Sequence, residues 1–436
     1  MNAMELFGRT FSCSCGKTHA IEPLETLYGD DAAGRIAEIG ARLMPGGRVA
    51  VIMDARTREA AGGDLCETLS AAGDAVQELI VPDREGGEWP VCDDRTQERL
   101  EQNLKDADWI LTVGSGVVTD LGKWLAFDRG IPFAGFATAA SMNGYASANV
   151  APTLKGVKSI LRARPARVLL SSPEVLREAP YTLTTAGLGD VLAKNTSTAD
   201  WRMNHLLFGD FYCETSAGLI GELEPLYLDH PEEIRDRNPE AMKALYQALL
   251  LTGVAMTMAE TSSPASGGEH LISHALDMMS SLDGRPHDLH GRQVGVATVL
   301  AAELYRRVLQ VESPAFHDPE GVDEGFWGAQ GEAVRTQYAR KLSRLQAMRE
   351  KLETGGAWDA LREALSPMLH PPERIHGCLQ RAAAATRAEE IGCTHGRLRD
   401  ALRHAHEIRS RVTVLDLARL LGLMPECAGE VLEAWA

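Results

Sequence analysis

The sequence predicts an α/β plus all-α protein, in which a parallel-sheet N-terminal domain precedes a helical C-terminal domain. Two observations favour this class. Short apolar runs alternate with amphipathic stretches from about Arg48 to Leu170, whereas beyond Pro180 most segments carry apolar residues at helical spacing. A chain of 436 residues is also long enough for two domains. We therefore predict domains at residues 1–180 and 181–436, with a ligand cleft between them.

The N-terminal domain contains strand and helix patterns in alternation. Strands separated by helices imply parallel βαβ units, and hence a Rossmann-like, doubly wound sheet. Ligands of such sheets bind beyond the carboxyl ends of the strands. The predicted strands are Arg48–Met53, Ala75–Val81, Trp109–Val113 and Ile131–Ala137, and the predicted helices are Glu59–Gly73, Arg95–Ala107 and Val118–Arg129.

The C-terminal domain contains six stretches of helical spacing, which proline and glycine clusters at residues 263–268 and 283–286 separate. The predicted stretches are Leu183–Leu207, Ala241–Met258, Gly291–Leu309, Glu332–Leu352, Pro372–Glu389 and Leu398–Leu423.

Composition excludes several classes of function. The 61 acidic and 44 basic side chains give a net charge of −17, which argues against a nucleic-acid footprint and against adhesion to an anionic membrane. The most apolar run, Ala248 to Ala259, is shorter than the ~20 residues of a membrane span, so we predict a buried helix. The amino terminus has no signal-peptide pattern, and the eight cysteines are not spaced as a disulfide framework. We expect a cytoplasmic protein with reduced thiols.

A glycine-containing turn joins a predicted strand to a predicted helix at Val113–Asp120. Glycines let the backbone approach a pyrophosphate, and the helix amino terminus offers free N–H groups to it. The third glycine of the dinucleotide fingerprint is Thr119 here, so an ordinary strand-to-helix turn stays open as the alternative. Asp54, at the end of the first strand, is placed to accept a hydrogen bond from a ribose or to cap a helix.

Histidines cluster within residues 270–290, where four of the 13 occur: His270, His274, His287 and His290. The first two stand at i and i+4 and share one face of a helix. Imidazoles that converge from two helices suit a divalent transition metal, and polar residues on a surface loop are the alternative. The best-placed carboxylate is Asp190, in Ala186-Gly-Leu-Gly-Asp190, although a helix N-cap role is equally open to it.

Two short cysteine–histidine motifs stand apart from this cluster. Cys13-Ser-Cys15-Gly-Lys-Thr-His19 resembles half of a zinc knuckle, but no matching half follows nearby. We predict a structural or incidental role for it, and the same for Cys393 with His395.

Taken in order, motifs through most of the chain resemble the glycerol-1-phosphate dehydrogenase family, most closely its bacterial branch. This family lies in a superfamily with metal-dependent glycerol dehydrogenases, iron-type alcohol dehydrogenases and dehydroquinate synthases. The motifs are Cys15–His19, Gly114–Asp120 with Lys123, Ala137–Ser147, Ala179–Pro180, Ala186–Asp190, Asp200–Trp201, Pro264–His274, His290–Gly295 and Ile408–Leu417.

The resemblance implies a reaction and residue roles. The family reduces dihydroxyacetone phosphate to sn-glycerol 1-phosphate, in phospholipid metabolism, with NAD or NADP and one divalent metal, usually zinc. Residues 1–180 would bind the dinucleotide and residues 181–436 the metal and substrate, in a cytoplasmic homodimer that binds a small phosphorylated C3 substrate and neither nucleic acid nor membrane. The implied metal ligands are Asp190, His270 and His290; the implied cofactor-binding residues are Gly114, Ser115, Gly116, Val117, Val118, Thr138, Ser141 and Ser147, with Asp54 from its strand position; and the implied substrate or catalytic residues are Asn143, Asp190 and His274.

Asn143 departs from the family pattern, which has aspartate at this position. Asparagine brings two donors and no charge, so it cannot act as a base. The substitution indicates either a slow enzyme or a different small phosphorylated or hydroxylated carbonyl as substrate. A phosphorylated substrate also needs cations, for which Lys155, Lys158 and Lys194 are the candidates nearest the motifs.

Three other readings stay open. Within the superfamily, the chain is alternatively a dehydrogenase of another polyol or phosphorylated carbonyl. Dehydroquinate-synthase-like lyases, which form a carbocycle with NAD and zinc, carry glutamate where Asp190 stands. A non-catalytic paralogue is the third reading, and the complete triad Asp190, His270 and His290 argues against it.

Overall fold

The computed structural model describes residues 3–84 and 89–436. A short hairpin comes first, and the N-terminal half then builds a six-stranded sheet with strand order β3-β12-β7-β6-β4-β5, in which every pairing is parallel. The strands are β1 (Thr10–Ser12), β2 (Thr18–Ala20), β3 (Glu25–Tyr28), β4 (Arg48–Met53), β5 (Ala75–Ile80), β6 (Trp109–Gly114), β7 (Phe133–Ala137), β8 (Asn149–Val150), β9 (Thr153–Leu154), β10 (Val157–Lys158), β11 (Leu161–Arg162) and β12 (Val168–Ser171).

Helices cover the sheet and form almost all of the C-terminal half. They are α1 (Ile36–Leu43), α2 (Ala55–Thr57), α3 (Gly63–Ala71), α4 (Asp94–Asn103), α5 (Gly116–Arg129), α6 (Pro173–Glu178), α7 (Tyr181–Leu192), α8 (Lys194–Phe208), α9 (Glu214–Ala217), α10 (Glu224–Leu228), α11 (Pro231–Arg235), α12 (Pro239–Ala259), α13 (Gly268–Asp283), α14 (His290–Leu309), α15 (Glu324–Trp327), α16 (Gly331–Ala339), α17 (Leu342–Leu352), α18 (Ala357–Leu365), α19 (Pro372–Arg381), α20 (His395–His404), α21 (Val414–Leu420) and α22 (Ala428–Trp435). Short 3₁₀ turns lie at Ala3–Leu6, Gly328–Gln330, Ser366–Met368, Glu389–Ile391 and Ala405–Glu407, and Arg58–Gly62 is π-helical.

The predicted fold class is confirmed: a parallel α/β half precedes a helical half. Every residue of β6, β7 and β12 is buried, because helices cover both faces of the sheet's centre. The edge strand β3 was not predicted, since four residues of intermediate exposure give no clear pattern. The predicted stretch Leu183–Leu207 is divided at Ala193 into α7 and α8, and the predicted helix Arg95–Ala107 ends already at Asn103.

Helix α12 is the buried helix that the run Ala248–Ala259 predicts. Asn238 caps it, because its side-chain oxygen accepts the N–H of Glu240 at 2.9 Å, and Pro239 occupies its first turn. Among the residues that the structure describes, it is the one helix long and apolar enough to cross a membrane. Its most apolar stretch of 18 residues is 83% buried. The ring of Tyr246 on this helix lies 5.7 Å from that of Tyr28 and 6.3 Å from that of Tyr145, both in the N-terminal half. Helix α12 therefore contributes to the core that spans both halves.

Helices α7 and α14 cross so closely that only glycine fits at the contact. A Cβ atom on Gly291 would lie 2.0 Å from the carbonyl oxygen of Ala186, and one on Gly189 would lie 2.1 Å from the carbonyl oxygen of Gly291. These glycines adjoin His290 and Asp190 in sequence. The close crossing therefore brings two predicted metal ligands from different helices together.

We expect Gly291→Ala to lower the free energy of unfolding by about 3 kcal/mol or more, because backbone atoms of α7 must move to admit the methyl group. Urea denaturation measures this. The control is Gly377→Ala within α19, where an added Cβ meets no atom of the described chain within 4 Å. Alanine there should be neutral or stabilise by up to ~1 kcal/mol. Equal stability of the two variants would contradict the close crossing.

Candidate active-site cleft

Asp190, His270 and His290 converge at the crossing of three helices. Asp190 comes from α7, His270 from the first turn of α13, and His290 begins α14. One ligand atom of each lies within 4.8 Å of the other two, and Nε2 of His270 is 3.3 Å from Oδ1 of Asp190. The side chains of Asp190 and His270 are buried, and that of His290 is half-buried. The N-cap alternative for Asp190 is wrong, because Asp190 lies two residues before the end of α7.

Neighbouring side chains fix the orientation of both imidazoles. Nδ1 of His270 lies 2.9 Å from Oε1 of Glu269, a fully buried carboxylate that also accepts the hydroxyl of Thr196 at 2.7 Å. Nδ1 of His290 lies 3.0 Å from Oγ of Ser273. When these Nδ1 atoms carry the protons, each Nε2 is left as a ligand atom that faces Asp190.

The three side chains fit a divalent metal. Oδ1 of Asp190 is buried and has no hydrogen-bond partner among residues 3–84 and 89–436, which is costly unless a cation neutralises it. Burial opposes protonation of His270, yet the adjacent carboxylates of Asp190 and Glu269 raise its pKa to about 9. Burial and the charge on His270 lower the pKa of His290 to about 4. Two nitrogens and one carboxylate oxygen leave a fourth position open, as catalytic metal sites do.

His274 and Asn143 adjoin this cluster, and each has a buried polar atom without a hydrogen-bond partner among the described residues. His274 lies one turn after His270 on α13, and its ring stacks on His290 at 5.5 Å between centroids. Burial, followed by Arg409 and the other two imidazoles, lowers the pKa of His274 well below its ordinary value. Nδ1 of His274 and Nδ2 of Asn143 are both buried without a hydrogen-bond partner in the described chain. The backbone N–H of Asn143 donates to Oδ2 of Asp190 at 2.6 Å, which places this loop against the triad.

The glycine turn lies at the carboxyl edge of the sheet. Gly114 ends β6, and a Cβ atom there would lie 2.6 Å from Cβ of Val118. Helix α5 then begins at Gly116, and the Ser115 side chain does not cap it, so the first N–H groups, which include that of Val117, remain for a ligand. Thr138 follows the adjacent strand β7 and donates its N–H to the carbonyl of Gly114 at 3.3 Å.

Lys123 stabilises the loop that follows β7 through hydrogen bonds to its backbone. This fully buried lysine of α5 donates to the carbonyl oxygens of Gly144 at 2.7 Å and Asn149 at 2.9 Å. Ser147 joins the same network at 3.3 Å from Nζ of Lys123, and Ser141 contacts the hydroxyl of Tyr145 at 3.2 Å. Both serines therefore help to fix the loop, and their contact with a cofactor stays a prediction.

Asp54 has the helix-cap role that its position allows. Its side chain accepts the N–H of Thr57 at 2.9 Å. The backbone N–H of Asp54 donates in turn to the hydroxyl of Thr57 at 3.0 Å. Arg56 lies 3.3 Å from the same carboxylate. Because β4 lies beside β6, Asp54 also stands at the edge that carries the glycine turn, and its ribose contact stays a prediction.

Of the three candidate lysines, only Lys158 lies near the triad. It is 3.8 Å from Asp277 and contributes to the lowered pKa values of His274 and His290. Lys155 is exposed on the turn between β9 and β10. Lys194 is buried, which lowers its pKa to about 8, and it faces the carbonyl oxygens of Ser216 and Pro264.

Arg409 is a further cation near this cluster, and it was not among the candidates predicted from the sequence. Its side chain is half-buried, but its Nη2 is buried and has no hydrogen-bond partner in the described part of the chain, and its charge acts on His274. An open cleft of about 760 Å³ reaches it, lined also by Ser159 and Arg340. The nearby Arg411 is engaged by Ser262 and Ser266. Arg409 lies in the quoted motif Ile408–Leu417, but nothing in the sequence distinguishes its surroundings from those of Arg411.

Asp200 is a second residue near the site, and no role was predicted for it from the sequence. From α8 it accepts the N–H of Gly268 at 2.8 Å, the N–H of Val414 at 2.7 Å and the hydroxyl of Tyr305 at 2.5 Å. Burial and the carboxylate of Glu269 raise its pKa to about 8. Asp200 thus fastens the start of α13, which carries His270, to α14 and α21.

We expect Asp200→Ala to lower the free energy of unfolding by about 3–5 kcal/mol, since three buried donors lose their acceptor. Chemical denaturation measures this, with Asp359→Ala as the control because that carboxylate is 73% exposed. A cost below about 1 kcal/mol for Asp200→Ala would show that the network does not hold α13 in place.

Known proteins resemble this chain in sequence and in fold. A family model described as iron-containing alcohol dehydrogenase matches residues 28–180. The glycerol-1-phosphate dehydrogenase (NAD(P)+) of Bacillus subtilis (strain 168) is 30% identical over 407 residues, which cover 93% of this chain and 94% of that relative. The protein of the same name from Bacillus velezensis is 32% identical and covers 84% of each chain. This chain belongs to the glycerol-1-phosphate dehydrogenase family.

Solved structures share the fold of this glycerol-1-phosphate dehydrogenase family member. A probable glycerol dehydrogenase from Sinorhizobium meliloti 1021 superimposes with a TM-score of 0.60 at 16% identity, covering 94% of this chain and 97% of that chain. Family membership confirms the prediction of an NAD(P)-dependent oxidoreductase that uses a divalent metal, and the triad provides the candidate ligands.

Proposed function

We propose that this protein reduces dihydroxyacetone phosphate to sn-glycerol 1-phosphate, reversibly, with NADH or NADPH. The observation that carries the proposal is the meeting of Asn143 and Asp190, because it joins the loop after β7 to the metal triad through a 2.6 Å hydrogen bond. A nicotinamide held along the glycine turn would reach a ketone held at the triad. We place the boundary of the two functional domains at Pro180, so that residues 1–180 hold the dinucleotide and residues 181–436 the metal.

The triad, Asn143 and His274 divide the chemistry among them. Asp190, His270 and His290 would hold a divalent ion; that ion supplies Lewis acidity to the ketone oxygen, and the nicotinamide supplies the hydride. Nδ2 of Asn143 donates a hydrogen bond to a substrate oxygen. Nδ1 of His274, which lacks a partner in the described chain, is placed to hold a water by a hydrogen bond, and that water relays a proton from solvent to the carbinol oxygen.

The phosphate of the substrate binds to Arg409 and Lys158. A chain of net charge −17 must concentrate positive potential locally to hold a phosphorylated substrate. Nη2 of Arg409 is buried and has no hydrogen-bond partner among the described residues, and both side chains act electrostatically on His274. An arginine fork suits a phosphate because it makes two parallel hydrogen bonds.

The coenzyme binds at the edge formed by β4, β6 and β7. The N–H groups of Gly116, Val117 and Val118 at the start of α5 hold the pyrophosphate. Asp54 is placed to accept a ribose 2′-hydroxyl, and Arg56 beside it is placed to bind a 2′-phosphate, which supports use of both NAD and NADP. We also propose a cytoplasmic homodimer; the eight cysteines, all free of disulfides, support the cytoplasm.

Oxidation of the two glycerol phosphate enantiomers tests the proposed reaction. We expect the metal-loaded enzyme to oxidise sn-glycerol 1-phosphate with NAD⁺ or NADP⁺ and to be at least about 100-fold slower, ~2.7 kcal/mol, with sn-glycerol 3-phosphate. The reason is that the phosphate at Arg409 and the hydroxyl at the triad together fix which face of C2 meets the nicotinamide. Equal rates with both enantiomers, or no rate with either, would refute the assignment.

Asn143 supports a second candidate, the reduction of a different small phosphorylated carbonyl. If dihydroxyacetone phosphate is the substrate, wild type should reduce it at least as fast as Asn143→Asp, because Nδ2 then contributes a needed donor. Steady-state kinetics with both proteins measure this. A variant more than about tenfold faster, ~1.4 kcal/mol, would favour the second candidate.

A further inference from the structure

Four potential metal ligands meet far from the triad, where the N-terminal hairpin contacts the helical half. Cys13 and Cys15 flank the tip of the hairpin formed by β1 and β2, and His19 lies on β2. The fourth residue is Cys213, which follows His19 by 194 residues. One ligand atom of each lies within 4.8 Å of the other three. The hairpin motif supplies three ligands, and the fold brings the fourth, Cys213, from a distant part of the sequence.

The distances match the edges of a tetrahedron around zinc. Bond lengths of about 2.3 Å to sulfur and about 2.0 Å to nitrogen place two sulfurs about 3.8 Å apart, and a sulfur and a nitrogen about 3.5 Å apart. Sγ of Cys13 lies 3.7 Å from Sγ of Cys213, and Nε2 of His19 lies 3.8 Å from Sγ of Cys213 and 3.2 Å from Sγ of Cys15. A disulfide, whose sulfurs are about 2.05 Å apart, does not describe these contacts.

The local structure prepares the cluster for a cation. Cys213 and His19 are buried, while Cys13 and Cys15 are half-buried, so the cluster is enclosed yet reachable by an ion. Sγ of Cys13 also lies 3.4 Å from the hydroxyl of Thr215, a donor that favours the thiolate. A thiolate is the form of cysteine that binds metals.

We propose that Cys13, Cys15, His19 and Cys213 form a second metal site, a closed Cys₃His site for zinc, separate from the catalytic triad. With four protein ligands it has no open position for a substrate, so its role is structural. The ion would tie the N-terminal hairpin to the segment that precedes α9.

That connection continues toward the catalytic helices. Sγ of Cys213 accepts the N–H of Ser216 at 3.4 Å, and the carbonyl of Ser216 faces Nζ of Lys194 at 3.5 Å. Lys194 also faces the carbonyl of Pro264, in the loop that leads to α13. Zinc at this site would therefore stabilise the loop that precedes α13, although it lies outside the cleft.

Cobalt substitution of the full-length protein tests the site by spectroscopy. Reconstituted with Co²⁺ under reducing conditions, wild type should show intense tetrahedral d–d bands and thiolate-to-cobalt charge-transfer absorption, which the sulfur-free triad cannot produce. Cys213→Ser should remove most of the charge-transfer absorption and lower bound metal by one equivalent per chain. Cys393→Ser, which changes a buried thiol outside the cluster, is the matched control and should leave the spectrum unchanged.

A thiol titration of wild type keeps the test decisive where Cys213→Ser does not fold. Three additional thiols should become reactive after a strong chelator strips zinc from the native protein. Absence of thiolate–cobalt absorption, thiol reactivity that the chelator does not change, or a reducible disulfide between Cys13 and Cys213 would each overturn the site.

Discussion

Asp190→Ala is expected to lose one equivalent of divalent metal per chain and at least about a thousandfold of kcat, ~4 kcal/mol of transition-state stabilisation. His270→Ala should behave alike. The reason is geometric, since each residue supplies one of three ligand atoms that lie within 4.8 Å of one another. Metal analysis and steady-state reduction of dihydroxyacetone phosphate, on the same preparations, measure both losses.

The control for this prediction is His376→Ala. His376 lies on α19 against Trp435, with 5.5 Å between the ring centroids, and belongs to neither metal-ligand cluster. It should keep the metal content and kcat of wild type. Asp190→Ala protein that retains both the full metal content and more than about a tenth of the activity would show that the triad is not the catalytic metal site.

Arg409→Met is expected to raise the KM for dihydroxyacetone phosphate about 10- to 100-fold, because a charge-assisted hydrogen bond to a phosphate contributes ~1.5–3 kcal/mol. The KM for the coenzyme should not change. Stability without substrate should stay equal or rise, since the variant removes a guanidinium whose buried Nη2 has no hydrogen-bond partner among the described residues. Kinetics and thermal unfolding of the same protein provide both readouts.

Arg340→Met is the matched control, because Arg340 lines the same cleft but is exposed. Its KM for the phosphorylated substrate should change less than about threefold, as expected for a screened surface charge. An unchanged KM in Arg409→Met, or an equal increase in both variants, would place the phosphate elsewhere in the cleft.

Much of this site could be predicted because its signals are local. The i,i+4 spacing of His270 and His274 depends only on helix geometry, and the glycine turn at Gly114 is a strand-to-helix junction within a few residues. The continuous apolar run Val49–Met53 predicts a strand covered on both faces, as this part of β4 is.

Other parts depend on contacts between distant segments, which periodicity does not encode. Cys213 is an isolated cysteine until the fold places it beside the hairpin. Nη2 of Arg409 has no hydrogen-bond partner among the described residues, and this depends on which acceptors other elements bring near it. Asp190 has a local pattern that suits a helix cap, and only the crossing of α7 and α14 places it beside His290.

The ratio of kcat/KM for dihydroxyacetone phosphate to that for dihydroxyacetone, with metal-loaded enzyme and saturating NADH or NADPH, tests the central claim most directly. The two ketones differ only in the phosphate, so the ratio isolates the cation pair Arg409 and Lys158 while the triad holds the same carbonyl. We predict a ratio of at least about 100, ~2.7 kcal/mol. A ratio near one, or a preference for the unphosphorylated ketone, would contradict the proposed function and indicate a polyol dehydrogenase.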